Sequence, residues 1–249
     1  MTRVLILGGT ADARRLAALA TAAGFDVTSS LAGRTTTTRQ ALEGAVRVGG
    51  FGGVEGLVDY LRAHEVDLLV DATHPFAAQM SAHAAEATAI THTPCVMIAR
   101  PRWERVAGDR WVTVHFIEEA AAALPGLARR VFLAIGRQEL AAFAHLADLW
   151  FLCRMIERPA EGASLPPGEI VLDRGPFTEA GDRALLEAHR IEVVVSRNSG
   201  GAEAYSKIAA ARDLGLPVVI IDRPALPPGE RVDDVAGALA WIEAHAVRV

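Results

Sequence analysis

The chain has 249 residues, 51% of them hydrophobic, so it is long enough to bury one large core or two smaller ones. Its net charge of −5 and pI near 5.9 argue against binding to nucleic acids or anionic membranes, because both depend on a basic surface. No apolar run approaches the roughly 20 residues that a membrane-spanning helix needs, and the opening run 4–7 is too short for a signal peptide. We therefore expect a globular, cytoplasmic protein.

The first half of the chain alternates short apolar runs with helical patterns, and the runs end in segments rich in glycine, arginine and threonine. Predicted strands cover residues 3–7, 25–31, 45–48, 67–71 and 95–99. Predicted helices cover residues 11–23, 54–61 and 76–88. Alternation of this kind is typical of parallel sheets with helices on both faces.

The second half restarts the same alternation after Pro125-Gly126, the clearest boundary signal in the middle of the chain. Predicted strands cover residues 131–135, 149–155, 170–172, 192–195 and 217–221. Predicted helices cover residues 138–146 and 178–189, a segment that carries Lys207, and the end of the chain to about residue 246. The pattern predicts an α/β protein with two domains, residues 1–125 and 126–249.

Cysteine and histidine spacing gives no metal site. Cys95 and Cys153 lie far apart with no C-x-x-C spacing, and they are predicted to be small buried hydrophobic residues. His74, His83 and His92 are nine residues apart and do not share a helix face.

The basic residues are 24 arginines and one lysine, Lys207. Two interpretations of that lysine stay open: a residue retained for its function, or an exposed helix residue.

A glycine turn follows the first predicted strand. Gly8-Gly9-Thr10 stands where dinucleotide-binding folds place a pyrophosphate on backbone N–H groups, although the G-x-G-x-x-G fingerprint is absent and a purely steric need for glycine is the alternative. Arg34 follows the second strand, where an arginine suits the 2′-phosphate of NADP; the alternative is a solvated loop arginine.

Two further strand ends in the first half are candidate ligand contacts. Gly49-Gly50-Phe51-Gly52-Gly53 removes side chains from a whole turn, which lets a ligand lie against the backbone. Asp71-Ala72-Thr73-His74 ends the buried strand 67–71, and His74 is a candidate to donate a proton or to orient an amide. A histidine that only completes a local hydrogen bond is the alternative for His74.

The second half places arginines at or near strand ends, a pattern that suits a polycarboxylate ligand. They are Arg137, Arg154, Arg174 and Arg197, and a surface ion pair is the alternative for each one alone. The segment Ser196-Arg197-Asn198-Ser199-Gly200-Gly201 has the composition of an anion-binding nest before a helix, and Lys207 lies in that helix.

Seven short blocks, taken in order, resemble the precorrin-6A reductase family of cobalamin biosynthesis. They are Ile6-Leu7-Gly8-Gly9-Thr10, Ala32-Gly33-Arg34, Gly49-Gly50-Phe51-Gly52-Gly53, Asp71-Ala72-Thr73-His74-Pro75-Phe76-Ala77, Arg100-Pro101 with Trp103, Gly175-Pro176-Phe177, and Asn198-Ser199-Gly200-Gly201. The match covers nearly the whole chain. Arg197 departs from it, since lysine is expected there; the charge is kept, which preserves a role in substrate binding but not one in proton transfer.

The resemblance implies an oxidoreductase that uses NADPH to reduce one carbon–carbon double bond of the precorrin-6A macrocycle. It implies two Rossmann-like domains with the active site in the cleft between them and a tetrapyrrole as the small-molecule partner. It is also compatible with transfer of the tetrapyrrole to neighbouring enzymes of the pathway. The residues assigned to NADPH are Gly8, Gly9, Thr10, Arg34, Gly50, Phe51, Gly52, Thr73 and His74. Those assigned to the substrate are Arg137, Arg154, Arg197, Asn198, Ser199, Gly200 and Gly201, and those considered for catalysis are His74 and Lys207.

Two other functions fit parts of the pattern. One is an NADPH-dependent reductase of a small dicarboxylate, resembling dihydrodipicolinate reductase. The arginines suit such a substrate, but two full α/β halves are more than a small substrate needs. The other is a non-catalytic nucleotide-binding or periplasmic-binding-like module.

Overall fold

The computed structural model describes residues 1–33 and 43–246 and divides the chain into two compact units. The first unit comprises residues 1–101 and 224–249, and the second comprises residues 102–223. Each unit contains one six-stranded sheet in which every strand pairing is parallel. The predicted fold class, α/β with two Rossmann-like halves, is confirmed.

The strands and helices are numbered in chain order. The strands are β1 (Arg3–Leu7), β2 (Asp26–Leu31), β3 (Ala45–Val48), β4 (Leu68–Asp71), β5 (Cys95–Ile98), β6 (Arg110–Val114), β7 (Arg130–Ala134), β8 (Trp150–Met155), β9 (Gly168–Leu172), β10 (Val193–Arg197), β11 (Pro217–Ile221) and β12 (Glu230–Val232). The α-helices are α1 (Ala11–Ala22), α2 (Val54–Ala63), α3 (Ala78–Thr91), α4 (Ile117–Ala123), α5 (Glu179–Ala188), α6 (Ser206–Asp213) and α7 (Val235–His245). The predicted helix 138–146 is instead a 3₁₀ helix, Arg137–Phe143.

The first sheet has the order β12-β5-β4-β1-β2-β3, with helices on both faces. Alternation along β1 sends Val4 and Ile6 toward α1 and α7, and Leu5 and Leu7 toward α2 and α3. Strand order reverses between β1 and β4, which is the position at which open α/β sheets bind ligands, beyond the carboxyl ends of the strands. The segments after β1, β3 and β4 all begin at that edge.

The second sheet repeats the plan with the order β9-β8-β7-β10-β11-β6. Helices α5 and α6 cover one face through a core of apolar residues, and α4 contacts β11 and the 3₁₀ helix. The core residues are Trp103, Phe132, Leu152, Leu186, Ile191, Val194, Ile208, Ala210, Ala211, Val218 and Ile220. Strand order reverses here between β7 and β10, so the segments after these two strands occupy the ligand-binding position of this sheet.

The chain changes units at positions that differ from the junction expected at residues 125 and 126. Strand β6 pairs with β11, so residues 102–125 belong to the second unit, and Pro125-Gly126 is part of a 3₁₀ turn inside it. Strand β12 pairs with β5, and α7 packs in the core of the first unit. Each sheet thus takes its sixth strand from a segment that the chain order places with the other half.

Candidate active site

The turn after β1 is built by Thr10, which joins it to the end of β4. The Thr10 hydroxyl accepts a hydrogen bond from the Ala13 amide at 3.1 Å, which caps α1, and donates to the Ala72 carbonyl at 2.8 Å. Gly9 has φ +113°, and a Cβ added to it would meet no atom within 4 Å. The threonine side chain therefore fixes the turn, while the glycine backbone faces open space at the point where strand order reverses.

The glycine-rich turn 49–53 is equally open. A Cβ added at Gly49, Gly50, Gly52 or Gly53 would meet no atom within 4 Å. The turn leads directly into α2, whose N-cap residue Gly53 makes no side-chain hydrogen bond. Backbone groups rather than side chains thus form this part of the edge, as the sequence predicts.

Arg47 of β3 holds this turn, a role that no sequence motif predicts. Its Nη1 donates to the Ser30 hydroxyl at 3.1 Å and to the Gly49 carbonyl at 2.7 Å, and its Nη2 donates to the Gly50 carbonyl at 2.7 Å. The guanidinium carbon lies 3.7 Å from the centre of the Phe51 ring. An arginine in a four-residue strand carries no recognisable motif, so only the fold reveals the contacts.

The same turn folds back closely onto α2 at Gly56. A Cβ added to Gly56 would lie 1.8 Å from the Phe51 carbonyl oxygen, a backbone atom that cannot move without moving the turn. Glycine is therefore required at this helical position for close backbone packing.

Gly56→Ala is expected to lower the free energy of unfolding by about 2–4 kcal/mol, because the helix or the turn must shift to relieve the overlap. Denaturant unfolding measures the change. Gly50→Ala is the matched control, since its added Cβ meets no atom within 4 Å, and it is expected to cost less than about 1 kcal/mol. Equal losses for the two variants would contradict the close-packing explanation.

The corner after β4 is stabilised by Asp71, which is buried. Its Oδ1 accepts from the Thr73 amide at 3.0 Å and from the Thr73 hydroxyl at 2.7 Å, while its Oδ2 has no hydrogen-bond partner among the described residues. The Phe76 amide donates to His74 Nδ1 at 3.3 Å. That bond favours the neutral tautomer in which His74 Nε2 carries the proton and can donate. Arg34, the predicted 2′-phosphate contact, lies outside the described residues.

In the second unit, the segment after β10 is held by Asn198 rather than left open. The Asn198 side chain accepts from the Trp103 amide at 2.8 Å and donates to the Trp103 carbonyl at 3.0 Å. The Trp103 indole N–H donates to the Gly201 carbonyl at 2.8 Å. The Asn198 side-chain amide is thus occupied, and the Ser199 N–H donates to the Arg197 carbonyl at 2.8 Å, so the N–H groups of Gly200 and Gly201 are what this segment offers to a ligand.

Three of the four predicted arginines face carboxylates of the same chain. Arg137 pairs with Glu157 at 3.3 Å, Arg197 pairs with Glu139, and Arg154 pairs with Asp182. Arg174 is exposed. The segments that carry Arg137 and Arg197 meet where strand order reverses in the second sheet, whereas Arg154 points into the core and its guanidinium carbon lies 3.7 Å from the centre of the Phe177 ring.

Lys207 lies in a buried polar cluster next to that pair. Its side chain is buried, with the residue only 5% exposed, which excludes the interpretation as an exposed helix residue. Lys207 Nζ donates to the Ala204 carbonyl at 2.5 Å and lies 5.0 Å from the centre of the Trp103 ring. The neighbouring Ser206 hydroxyl donates to Asp182 Oδ2 at 2.6 Å. Asp182 had no signal in the sequence, because its partners lie 24 and 28 residues away.

The pKa of Lys207 is lowered to about 7, mainly by burial and also by the positive charge of Arg154, while the Asp182 carboxylate opposes the shift. The amine can therefore be charged or neutral near neutral pH. Burial raises the pKa of the Cys95 and Cys153 thiols to about 12, and both are free, so neither is a nucleophile at neutral pH.

Within residues 1–33 and 43–246, no group of three or more histidine, cysteine, aspartate or glutamate residues could hold a metal ion. In the same part of the chain, no helix combines the length and apolar character needed to cross a membrane.

The two parallel sheets and the open glycine turns at the carboxyl edge of the first sheet define a Rossmann-like α/β protein with two units. The family model described as precorrin-6x reductase CbiJ/CobK matches residues 3–243. The chain therefore belongs to this family of reductases, which confirms the predicted resemblance.

Individual relatives agree over nearly the full length. A protein from Rhodococcus erythropolis named precorrin-6A reductase is 51% identical over 244 residues, which cover 97% of this chain and 98% of the relative. A protein of the same name from Rhodobacter capsulatus is 47% identical and covers 98% of this chain, with 97% of its own length matched. A solved structure named CobK precorrin-6A reductase matches with a TM-score of 0.92 and 46% identity, covering 99% of this chain and 98% of that one.

Proposed function

We propose that this protein reduces one carbon–carbon double bond of precorrin-6A to give precorrin-6B in cobalamin biosynthesis, with NADPH as the reductant. The observation that carries the proposal is the pair of open glycine turns, 8–10 and 49–53, at the carboxyl edge of the first sheet. Membership of a reductase family and the names of relatives at 51% and 47% identity support the substrate.

The residues of the first unit fit a dinucleotide. Gly9, Gly50 and Gly52 leave space that any side chain would fill, so a pyrophosphate or ribose can lie against their backbone. Gly8, Thr10 and Phe51 complete the two turns, and Thr73 and His74 would hold the nicotinamide end, His74 through the proton that its contact with the Phe76 amide places on Nε2. When bound, the nicotinamide supplies a hydride to one carbon of the double bond.

The residues of the second unit fit a polycarboxylate macrocycle. Arg137 and Arg197 are partly exposed, so they can exchange their present carboxylate partners for those of the substrate, and the amides of Gly200 and Gly201 add donors next to the Ser199 hydroxyl. Arg154 and Asn198 support the site from inside: the guanidinium stays paired with Asp182, and the Asn198 amide stays on Trp103. The protein mainly positions two planar partners.

Lys207 is the group best suited to supply the proton that the second carbon of the double bond requires. Its amine holds a proton near neutral pH and releases it readily, because burial lowers its pKa to about 7. His74 is the orienting group. Together, one hydride and one proton saturate the double bond, and NADPH is oxidised to NADP⁺.

Arg34→Ala is expected to weaken NADPH binding by about tenfold or more and NADH binding by less than about twofold, since the arginine follows β2 where a 2′-phosphate is read. Fluorescence titration of both cofactors measures the two dissociation constants. Equal loss for the two cofactors would contradict the 2′-phosphate assignment.

The test of the whole proposal is anaerobic oxidation of NADPH followed at 340 nm in the presence of precorrin-6A or of its cobalt-loaded form. We expect stoichiometric NADPH oxidation with the metal-free macrocycle, formation of precorrin-6B, and slower turnover with NADH. A protein that binds NADPH but oxidises it with a small unsaturated dicarboxylate, and not with either macrocycle, would overturn the proposal.

A further inference from the structure

Arg47 binds neutral groups rather than a carboxylate, as does the half-buried Arg130, which donates to the His189 carbonyl and lies over the Trp150 ring. Among the described residues its guanidinium makes no ion pair; it donates to a hydroxyl and two carbonyls and stacks on Phe51. Its charge is directed entirely at neutral groups of the turn 49–53 and at Ser30 on β2. Arg137, Arg154 and Arg197, by contrast, each face a carboxylate.

These contacts determine which way the peptide groups of the turn point. In a trans peptide, the carbonyl and the following N–H point in opposite directions. Because Arg47 draws the carbonyls of Gly49 and Gly50 toward itself, the N–H groups of Gly50 and Phe51 must point away from it. Neither N–H donates to an acceptor in the described part of the chain.

The turn cannot hold this arrangement by itself. Four of its five residues are glycine, and glycine loses the most conformational entropy on ordering. Gly49, Gly52 and Gly53 have φ values of +122°, +85° and +100°. One guanidinium that binds two successive carbonyls, with an aromatic ring against its face, supplies the missing restraint.

We propose that Arg47 is a positioning residue of the cofactor site: it holds the turn 49–53 so that the N–H groups of Gly50 and Phe51 face the phosphate or ribose oxygens of a bound dinucleotide. The inference rests on the proposed function, since it takes the dinucleotide as the ligand of this edge. It assigns Arg47 no contact with the cofactor. A variant should therefore weaken NADPH and NADH alike, in contrast to Arg34→Ala.

The test compares Arg47→Gln and Arg47→Lys with Arg62→Gln, a control that removes an exposed arginine from the last turn of α2. Titrations with NADPH and with NADH give the dissociation constants. We expect Arg47→Gln to raise both by the same factor of roughly ten to a hundred, Arg47→Lys to raise them less because an ammonium can still reach one carbonyl, and Arg62→Gln to change them by less than about twofold. Arg47→Gln should raise the KM for NADPH by a larger factor than it lowers kcat, whereas Arg62→Gln should leave both within about twofold of wild type.

Two results of the titrations would overturn the inference. Loss of NADPH affinity alone would mean that Arg47 contacts the 2′-phosphate directly, and unchanged affinity for both cofactors would mean that it positions nothing. Hydrogen–deuterium exchange of a peptide that spans 45–57, measured without cofactor, tests the restraint separately, because the Gly49 N–H donates to the Leu31 carbonyl and the Leu57 N–H donates to the Gly53 carbonyl at the two ends of the turn. Arg47→Gln should speed this exchange, and Arg62→Gln should not. Unchanged exchange in Arg47→Gln would overturn the inference even if NADPH is not the cofactor. Faster exchange in Arg47→Gln, together with no NADPH binding by the wild-type protein, would overturn only the proposed function.

Discussion

Replacing Lys207 by methionine is expected to lower kcat by about 10²- to 10⁴-fold, the range that general acid catalysis contributes. Methionine fills a similar volume among Trp103 and the Ala204 backbone, so the folded structure should persist. Binding of NADPH should be unchanged, because the residues assigned to the cofactor all lie in the first unit. Single-turnover reduction at saturating NADPH measures the rate of the chemical step directly.

The pH dependence distinguishes a proton donor from an orienting residue. With a pKa of about 7, Lys207 loses its proton as pH rises through neutrality, so wild-type kcat should fall above about pH 7 wherever proton transfer limits the rate. Lys207→Arg keeps the charge but cannot release the proton. Loss of activity in both variants supports proton donation; activity retained in Lys207→Arg would show that only the positive charge matters.

Lys207→Met, which is expected to lower kcat, is expected to raise the stability of the protein. The folded-state pKa of about 7 lies below the ordinary value of 10.5, so between these pH values the unfolded chain binds a proton that the folded chain does not. Wild-type stability therefore rises with pH across this window, and the penalty for burying the amine is complete below pH 7. Lys207→Met should raise the melting temperature, most at pH 6 and least at pH 10; an equal rise at both would contradict the low pKa.

The sequence predicted the edge of each sheet better than the contacts made there. Strand ends are local features, so the glycine turn 49–53 and the corner at Asp71 could be recognised from short stretches, and parallel pairing then brings them to one edge. Arg47 and Asp182 could not be recognised, because their roles depend on partners on other elements. Nothing in the helical pattern around Lys207 shows whether that position faces solvent or core.

The junction expected at residues 125 and 126 differs from the observed division into units for a related reason. Strand β12 has three residues, and Val114 is the one buried residue of β6, so neither strand has the continuous buried apolar run of a central strand. Each becomes a strand because it completes the edge of a sheet formed by other residues, β12 on β5 and β6 on β11. A single cut between residues 125 and 126 would place β6 in the first unit and β12 in the second. The strand pairing shows the opposite assignment for both strands.

Asp182→Asn is expected to lower the free energy of unfolding by about 3–5 kcal/mol, because it leaves the Arg154 guanidinium charged and buried without a carboxylate. Asp182 is 2% exposed and Arg154 is 8% exposed, so water cannot replace the lost partner. The exposed pair Arg183–Glu187, with side chains 49% and 53% exposed, is the matched control, and Glu187→Gln should cost less than about 0.5 kcal/mol. Denaturant unfolding of both variants measures the difference; losses below 1 kcal/mol in Asp182→Asn would show that the buried pair is not coupled.

The double variant Arg154→Met/Asp182→Leu completes this test, since removing both charges should recover most of the stability that either single variant loses.

Arg154→Met alone also connects the pair to catalysis. The charge of Arg154 lowers the pKa of Lys207 while Asp182 raises it, so removing the arginine should raise the pKa of the amine. The fall in kcat should then move to higher pH in Arg154→Met and to lower pH in Asp182→Asn. Opposite movements of the two profiles would identify the pair as the element that sets the proton affinity of Lys207, and identical profiles would leave it a purely structural ion pair.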